Sequence, residues 1–208
     1  MRHQPQTPSS KFQAHLSSKS RGFSLITTLI LLVVVTLLGL GASQIVLLSE
    51  RATRFDRDSQ IAYQAAEAAL IDAEFDIRGP NTSANQRMST FSNISGLGFI
   101  EGCGTGASLG LCMPAAEGQK PVWYVVDFTD ETAAAKTVRF GDFTGRTFST
   151  GTTGIRSEIA PRYIIEVLAD TTTGSGSSAQ KKLFRVTSMG FGPRKETQAV
   201  LQMIFRKE

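Results

Sequence analysis

The residue types that carry acid–base or covalent chemistry are thinly spread in this chain. Its only histidines, His3 and His15, stand close to the N-terminus, so the commonest general base is missing from everything that follows. There is no Gly-x-Ser-x-Gly elbow and no glycine-rich phosphate loop. Asp127-Phe128-Thr129-Asp130-Glu131 gathers three carboxylates that could hold calcium, but their spacing does not fit an EF-hand, and a solvated loop is the plainer reading. Cys103 and Cys112 are the only cysteines, separated by the flexible stretch Gly104-Thr105-Gly106-Ala107-Ser108-Leu109-Gly110-Leu111. In an exported domain such a pair reads as a structural disulfide; a metal site would need further ligands, and a redox pair is expected as Cys-x-x-Cys. No nucleophile–base constellation supports an enzyme, which leaves only a carboxylate pair as an enzymatic possibility. Neither a cofactor nor a metal is implied.

What would position these residues is set by one stretch near the N-terminus. No charged residue occurs from Gly22 to Ser49. At about 1.5 Å per residue this is long enough to cross a bilayer core of roughly 30 Å as a helix. Arg2, Lys11, Lys19 and Arg21 precede it, with no acid before Glu50. A basic flank predicts a cytoplasmic N-terminus and places residues 50–208 outside. A secretory signal would have a shorter apolar run and a clearer small-residue cleavage site than Gly39, Gly41, Ala42 and Ser43 offer, so a retained single-pass anchor is the better reading.

The same four basic residues account for the charge of the whole chain. Of 22 basic and 18 acidic residues, removing those four leaves 18 against 18. The formal charge of +4 therefore reflects membrane topology, and no clustered basic face suggests nucleic-acid binding.

Beyond the apolar stretch, neither Pro nor Gly occurs between Ala42 and Arg78. Ile45, Leu48, Ala52, Phe55, Ala62, Ala66, Ala69, Ala73 and Ile77 recur in steps of three, four and seven, which predicts one face of an amphipathic helix. Gly79-Pro80 ends it. Gly39 and Gly41 are its weakest points, serving either local opening or close packing. Asn81–Ala116 is rich in Gly, Ser, Thr and Asn and is expected to be irregular, with one short helix. Strands are expected over Val122–Phe128, Pro161–Ala169, Lys182–Met189 and a last run containing Ala199, Leu201, Met203 and Phe205, with a further short strand possible over Lys136–Phe143. Phe191-Gly192-Pro193-Arg194-Lys195 reads as a turn, and Thr171–Ser178 as a mobile loop. The expected fold class is α+β: a long N-terminal helix packed on a C-terminal antiparallel sheet. The expected divisions are a leader over 1–22, an anchoring helix over 23–49, an amphipathic helix over 50–78, an irregular region with the disulfide over 79–120, and a sheet domain over 121–208.

Several of these segments resemble a known family. Arg21-Gly22-Phe23 followed by the apolar helix resembles the type IV pilin leader. Gln64-Ala65-Ala66-Glu67-Ala68-Ala69-Leu70, at its distance from the anchor, matches the Gln-Ala-Ala-Glu-Ala-Ala segment of PilX-type minor pilins. Pro161-Arg162-Tyr163-Ile164-Ile165-Glu166 and Phe184-Arg185-Val186-Thr187-Ser188-Met189-Gly190-Phe191-Gly192 resemble the C-terminal strands of the same proteins. The resemblance implies cleavage after Gly22 by prepilin peptidase and methylation of Phe23. It also implies residence in the inner membrane, with the C-terminal domain periplasmic, followed by entry into the pilus fibre. The partners it implies are the major pilin, other minor pilins, the inner-membrane assembly platform and a PilY-type tip adhesin. Most pilins have Glu at the fifth mature position, where it is thought to pair with the N-terminal amine of a neighbouring subunit. Here the residue is Thr27, whose hydroxyl is expected to bond back to the Phe23 carbonyl. This is either drift at a tolerant position or the mark of a subunit with no neighbour ahead of it. A K-type pseudopilin of type II secretion, which usually carries a larger inserted domain, is the nearest alternative. An anchored periplasmic enzyme or binding module is the alternative from a different class.

Overall fold

The computed structural model describes residues 23–92, 98–151, 153–168 and 183–207. The expected loop Thr171–Ser178 and the leader up to Gly22 lie outside them. The chain separates into two compact units, Met1–Arg51 and Ala52–Glu208. A single helix, α1, runs from Phe23 to Arg78 and is unbroken at Gly39 and Gly41. It stops where the sequence supplies a residue suited to left-handed backbone: Gly79 sits at φ 75° and its N–H bonds the Phe75 carbonyl at 2.9 Å. Lys207 closes the same end, its Nζ donating to the Ile77 carbonyl at 3.0 Å.

In the second unit, short elements precede the sheet: α2 (Met88–Ser92), a 3₁₀ turn (Gly106–Ser108), β1 (Leu111–Cys112), α3 (Val122–Val125) and β2 (Val138–Arg139). Three longer strands follow, β3 (Arg162–Leu168), β4 (Leu183–Phe191) and β5 (Gln198–Arg206). The order is β1-β3-β4-β5, with β2 sharing the β1 side of β3. β3, β4 and β5 pair antiparallel, as the alternating patterns predict. β1, however, runs parallel to β3, so the sheet is mixed and not wholly antiparallel. It comes from the stretch expected to be irregular.

The strand expected over Val122–Phe128 does not form. Both sides of β3 are already taken, by β4 on one side and by β1 and β2 on the other. Pro121 fixes a backbone turn, and Val126 N–H bonds the Val122 carbonyl at 3.0 Å to give one helical turn. The apolar residues that alternation assigned to a strand are buried differently. Val122, Trp123 and Val126 pack on a cluster of Cys103, Cys112, Phe128 and Ile164, on the side of the sheet away from α1. The larger cluster lies between α1 and the sheet and contains Ala69, Ala73, Ile77, Phe91, Leu111, Tyr163, Ile165, Phe184 and Val186.

Candidate functional site

Phe23 to Ser49 carries no charge, and every side chain in it is exposed in the isolated chain. Phe23 is 76% accessible and Leu38 68%. A helix that is apolar all round belongs in a membrane or among other helices. Near its start the polar side chains are turned inward: Thr27 Oγ1 donates to the carbonyls of Phe23 at 3.1 Å and Ser24 at 2.9 Å. Thr28 and Thr36 do likewise to Leu25 and Val33. Such bonds hide hydroxyls that would otherwise meet lipid or apolar side chains without a partner.

The second half of α1 is built to meet a sheet at short range. Ala62, Ala65, Ala66, Ala69 and Ala73 are all buried, whereas Gln64 and Glu67 face out. Small side chains on the helix are matched by the absence of one on β4. A Cβ at Gly190 would run into the Ala62 carbonyl and the Ala66 amide. Ser188, two residues earlier on the same face of β4, donates to the Ala66 carbonyl at 2.9 Å. Of the apolar stripe expected on this helix, Ala62, Ala66, Ala69, Ala73 and Ile77 are covered, while Ile45, Leu48, Ala52 and Phe55 are not.

Two acids lie inside that stripe. Asp72 accepts from Gly141 N–H at 2.8 Å and Thr144 Oγ1 at 2.6 Å, with Arg146 at 3.7 Å. Burial raises its pKa, although these two bonds and Arg146 pull the other way. Asp76 receives Arg87 through both Nε and Nη2, the latter at 2.7 Å, and the Tyr163 hydroxyl at 3.0 Å. Arg87 spends its remaining nitrogen on the carbonyls of Ala107 at 2.9 Å and Leu109 at 2.6 Å, and its guanidinium lies 3.6 Å from the centroid of Phe143. One arginine thus fastens α1, the loop between the cysteines and Phe143. Burial, and next the charge of Asp76, push the Tyr163 phenol well above its ordinary pKa, so it remains a donor. Sequence reasoning missed this cluster. Its signal was two carboxylates four residues apart among Ala69, Ala73 and Ile77, since acids on a buried face require partners.

The other sequence candidates separate. Cys103 and Cys112 are joined in a disulfide. The carboxylates of Asp127 and Asp130 serve local turns, taking the N–H groups of Thr129 at 2.7 Å and Thr132 at 2.8 Å. Among the described residues no group of three or more His, Cys, Asp or Glu is placed to hold a metal ion. Gly22 lies outside the described residues, and Phe23 opens α1.

Comparison with known families decides what this helix and sheet belong to. The PilX N-terminal profile matches residues 21–70, and the profile of the C-terminal part of the type IV pilus assembly protein PilX matches residues 108–207. The chain belongs to the PilX family. It is a PilX-type minor pilin of the type IV pilus. No curated protein and no solved structure matches it. The N-terminal match covers the anchor and the alanine face that receives Gly190; the C-terminal match covers β1 through β5. In this PilX chain the quoted family segments have physical roles. Gln64–Leu70 supplies the close helix–sheet approach, and Pro161–Glu166 supplies Tyr163 for the cluster around Asp76. The same segment supplies Glu166, which is buried and accepts from Arg185 Nε at 2.9 Å and Nη2 at 2.7 Å between opposed positions of β3 and β4. A single apolar helix at the N-terminus fits a single-pass anchor in a pilin.

Proposed function

We propose that this minor pilin is made as a precursor, cut by prepilin peptidase between Gly22 and Phe23 and methylated on Phe23. Before assembly the segment Phe23–Ser49 holds it in the inner membrane, with the N-terminus cytoplasmic and the C-terminal domain periplasmic. The same segment then packs against the major pilin and other minor pilins as the assembly platform draws the subunit into the fibre. The subunit sits in the initiating complex at the fibre tip, within reach of a PilY-type adhesin. No bond-making step is assigned to the domain itself.

The observation that carries this reading is Thr27, whose hydroxyl is bonded to the Phe23 and Ser24 carbonyls within Phe23–Ser49, a segment of α1 that carries no charge. A carboxylate there would cost about 2.5–3.5 kcal/mol in the bilayer on insertion scales. That cost is recovered by pairing with the amine of a subunit ahead, and a subunit placed first has none. The test is the intact mass of the protein taken from membranes and from sheared fibres. Loss of Met1–Gly22 and gain of one methyl group on Phe23 are expected, and Gly22→Ala should leave the precursor uncut. Full-length protein in assembled fibres would overturn the processing step and the assembly role built on it.

A further inference from the structure

The disulfide ties a well-held residue to one in unfavourable backbone. Both cysteines are fully buried, and Cys112 belongs to β1, which pairs with β3. Cys103 is placed differently. Gly102, Cys103 and Gly104 have φ of 73°, 68° and 53°, three left-handed residues in a row. Glycine adopts that backbone freely, whereas a residue with a Cβ seldom does. Among the described residues Cys103 alone does so without being glycine. It is kept there by its N–H on the Ile100 carbonyl at 3.1 Å, by Gly110 N–H on its own carbonyl at 2.9 Å, and by the bond to Cys112.

The loop so closed is a socket. Its Ala107 and Leu109 carbonyls converge on Arg87 Nη1, and Arg87 is the cation of Asp76, whose side chain is wholly buried. α2 follows Arg87 directly and brings Phe91 edge-on to Phe99 and Phe184. The ladders of β3 with β4 and of β4 with β5 use none of these groups for their backbone bonds. Without the crosslink nothing covalent holds Cys103 in left-handed backbone, the two carbonyls lose their fixed places, and water competes for Arg87. We propose that the Cys103–Cys112 bond is a redox switch on the Arg87 socket. Oxidised, the socket is closed. Reduced, the loop and α2 open together and bring Arg87 to the surface, while α1 stays packed on β3, β4 and β5. Where the switch closes rests on the periplasmic placement proposed above. There a thiol–disulfide oxidant takes two electrons and two protons from the two thiols and leaves as a dithiol. A subunit is then complete only after export, and one left reduced displays a protease-sensitive arginine.

Trypsin reads the switch, because Arg87 is a cleavage site that the socket hides. The full chain in detergent is compared with Cys103→Ser/Cys112→Ser, and the cuts are located by mass. Cleavage after Arg87 should quicken by about tenfold or more in the variant, while cuts after Arg162 in β3 and Arg185 in β4 keep the wild-type rate. An unchanged rate at Arg87 would overturn the switch. A matching rise at Arg162 and Arg185 would mean that the whole domain unfolds, and would overturn its local character. A second measurement separates the socket from the tether. The same cysteine changes are made in Asp76→Leu/Arg87→Met, and urea unfolding is compared in the two backgrounds. Shortening of the unfolded chain is common to both. The part that passes through Arg87 is not, so loss of the cysteines should change the unfolding constant less in the second background, by about threefold or more. An equal change in both would overturn the coupling. Thiol alkylation of the wild-type chain taken from membranes tests the placement alone. Two free thiols there would overturn closure in the periplasm and leave the coupling standing.

Discussion

Arg87 ties three parts of the second unit together. It answers the charge of Asp76 on α1 and binds two loop carbonyls, all out of water. Replacing it by Met leaves Asp76 buried without its cation, a change that costs about 3–5 kcal/mol in comparable pairs. Urea unfolding of Arg87→Met should show that loss, and the double change with Asp76→Leu should recover part of it, because two apolar groups avoid the desolvation. Asp72 gives a pH signature. Its folded pKa is raised above 3.8, chiefly by burial. Between 3.8 and that raised value the folded chain holds a proton that the unfolded chain has released, so this group's contribution to stability falls as pH rises through the window and is flat above it. Asp72→Asn keeps an acceptor for Thr144 or Gly141 and abolishes that slope. The stability of wild type relative to Asp72→Asn should therefore decline from acid to neutral pH, and urea titrations across the carboxylate range would detect the change.

At the scale of elements, the contact between α1 and β4 is the one that tolerates least. Gly190→Ala puts a methyl group against helix backbone that cannot rotate away, so a loss of about 1–3 kcal/mol is expected, read as a lower urea midpoint at unchanged slope. The bond from Cys103 to Cys112 closes a short loop whose carbonyls at Ala107 and Leu109 hold Arg87. Cys112→Ser should cost about 2–3 kcal/mol by loop entropy and lower the melting temperature of the domain. α1, β3, β4 and β5 were legible in the sequence because each carries its own period over seven residues or more. The failure at Val122–Phe128 has a definite cause. Alternation there gave the right composition, but occupancy beside β3, decided by Leu111–Cys112 and Val138–Arg139, is long-range information. Leu111–Cys112 is too short to carry a period, whereas Val138–Arg139 falls within the short strand expected over Lys136–Phe143.

For the whole molecule, the candidate site was legible in its first half and hidden in its second. An uncharged run from Gly22 to Ser49 advertises an anchor, and Thr27 was identifiable from its place after Phe23. The cluster of Asp76, Arg87 and Tyr163 was not, because partners 87 positions apart leave no local spacing. The proposed placement of the subunit at the fibre tip yields its own prediction. Thr27→Glu should leave cleavage intact and should not be needed for pilus formation. Gold labelling of the wild-type domain should find few copies, mostly at fibre ends; abundant label along the shaft would remove the tip placement and leave the family assignment standing.

The contacts of Asp76 and its neighbours also differ in how far along the chain they reach. Arg87 lies 11 positions from Asp76, the carbonyls it binds lie 20 and 22 positions from it, Tyr163 lies 87 from Asp76, and Ser188 lies 122 from Ala66. Closing a short loop sacrifices less chain entropy than closing a long one, and contacts near in sequence form sooner. By that measure the ion pair of Arg87 and Asp76 is expected to form early, and the contacts of Ser188 with Ala66 and of Lys207 with Ile77, at the two ends of the buried face of α1, are expected late. In a kinetic experiment, changes at Arg87 should slow folding, whereas changes at Gly190 should chiefly hasten unfolding.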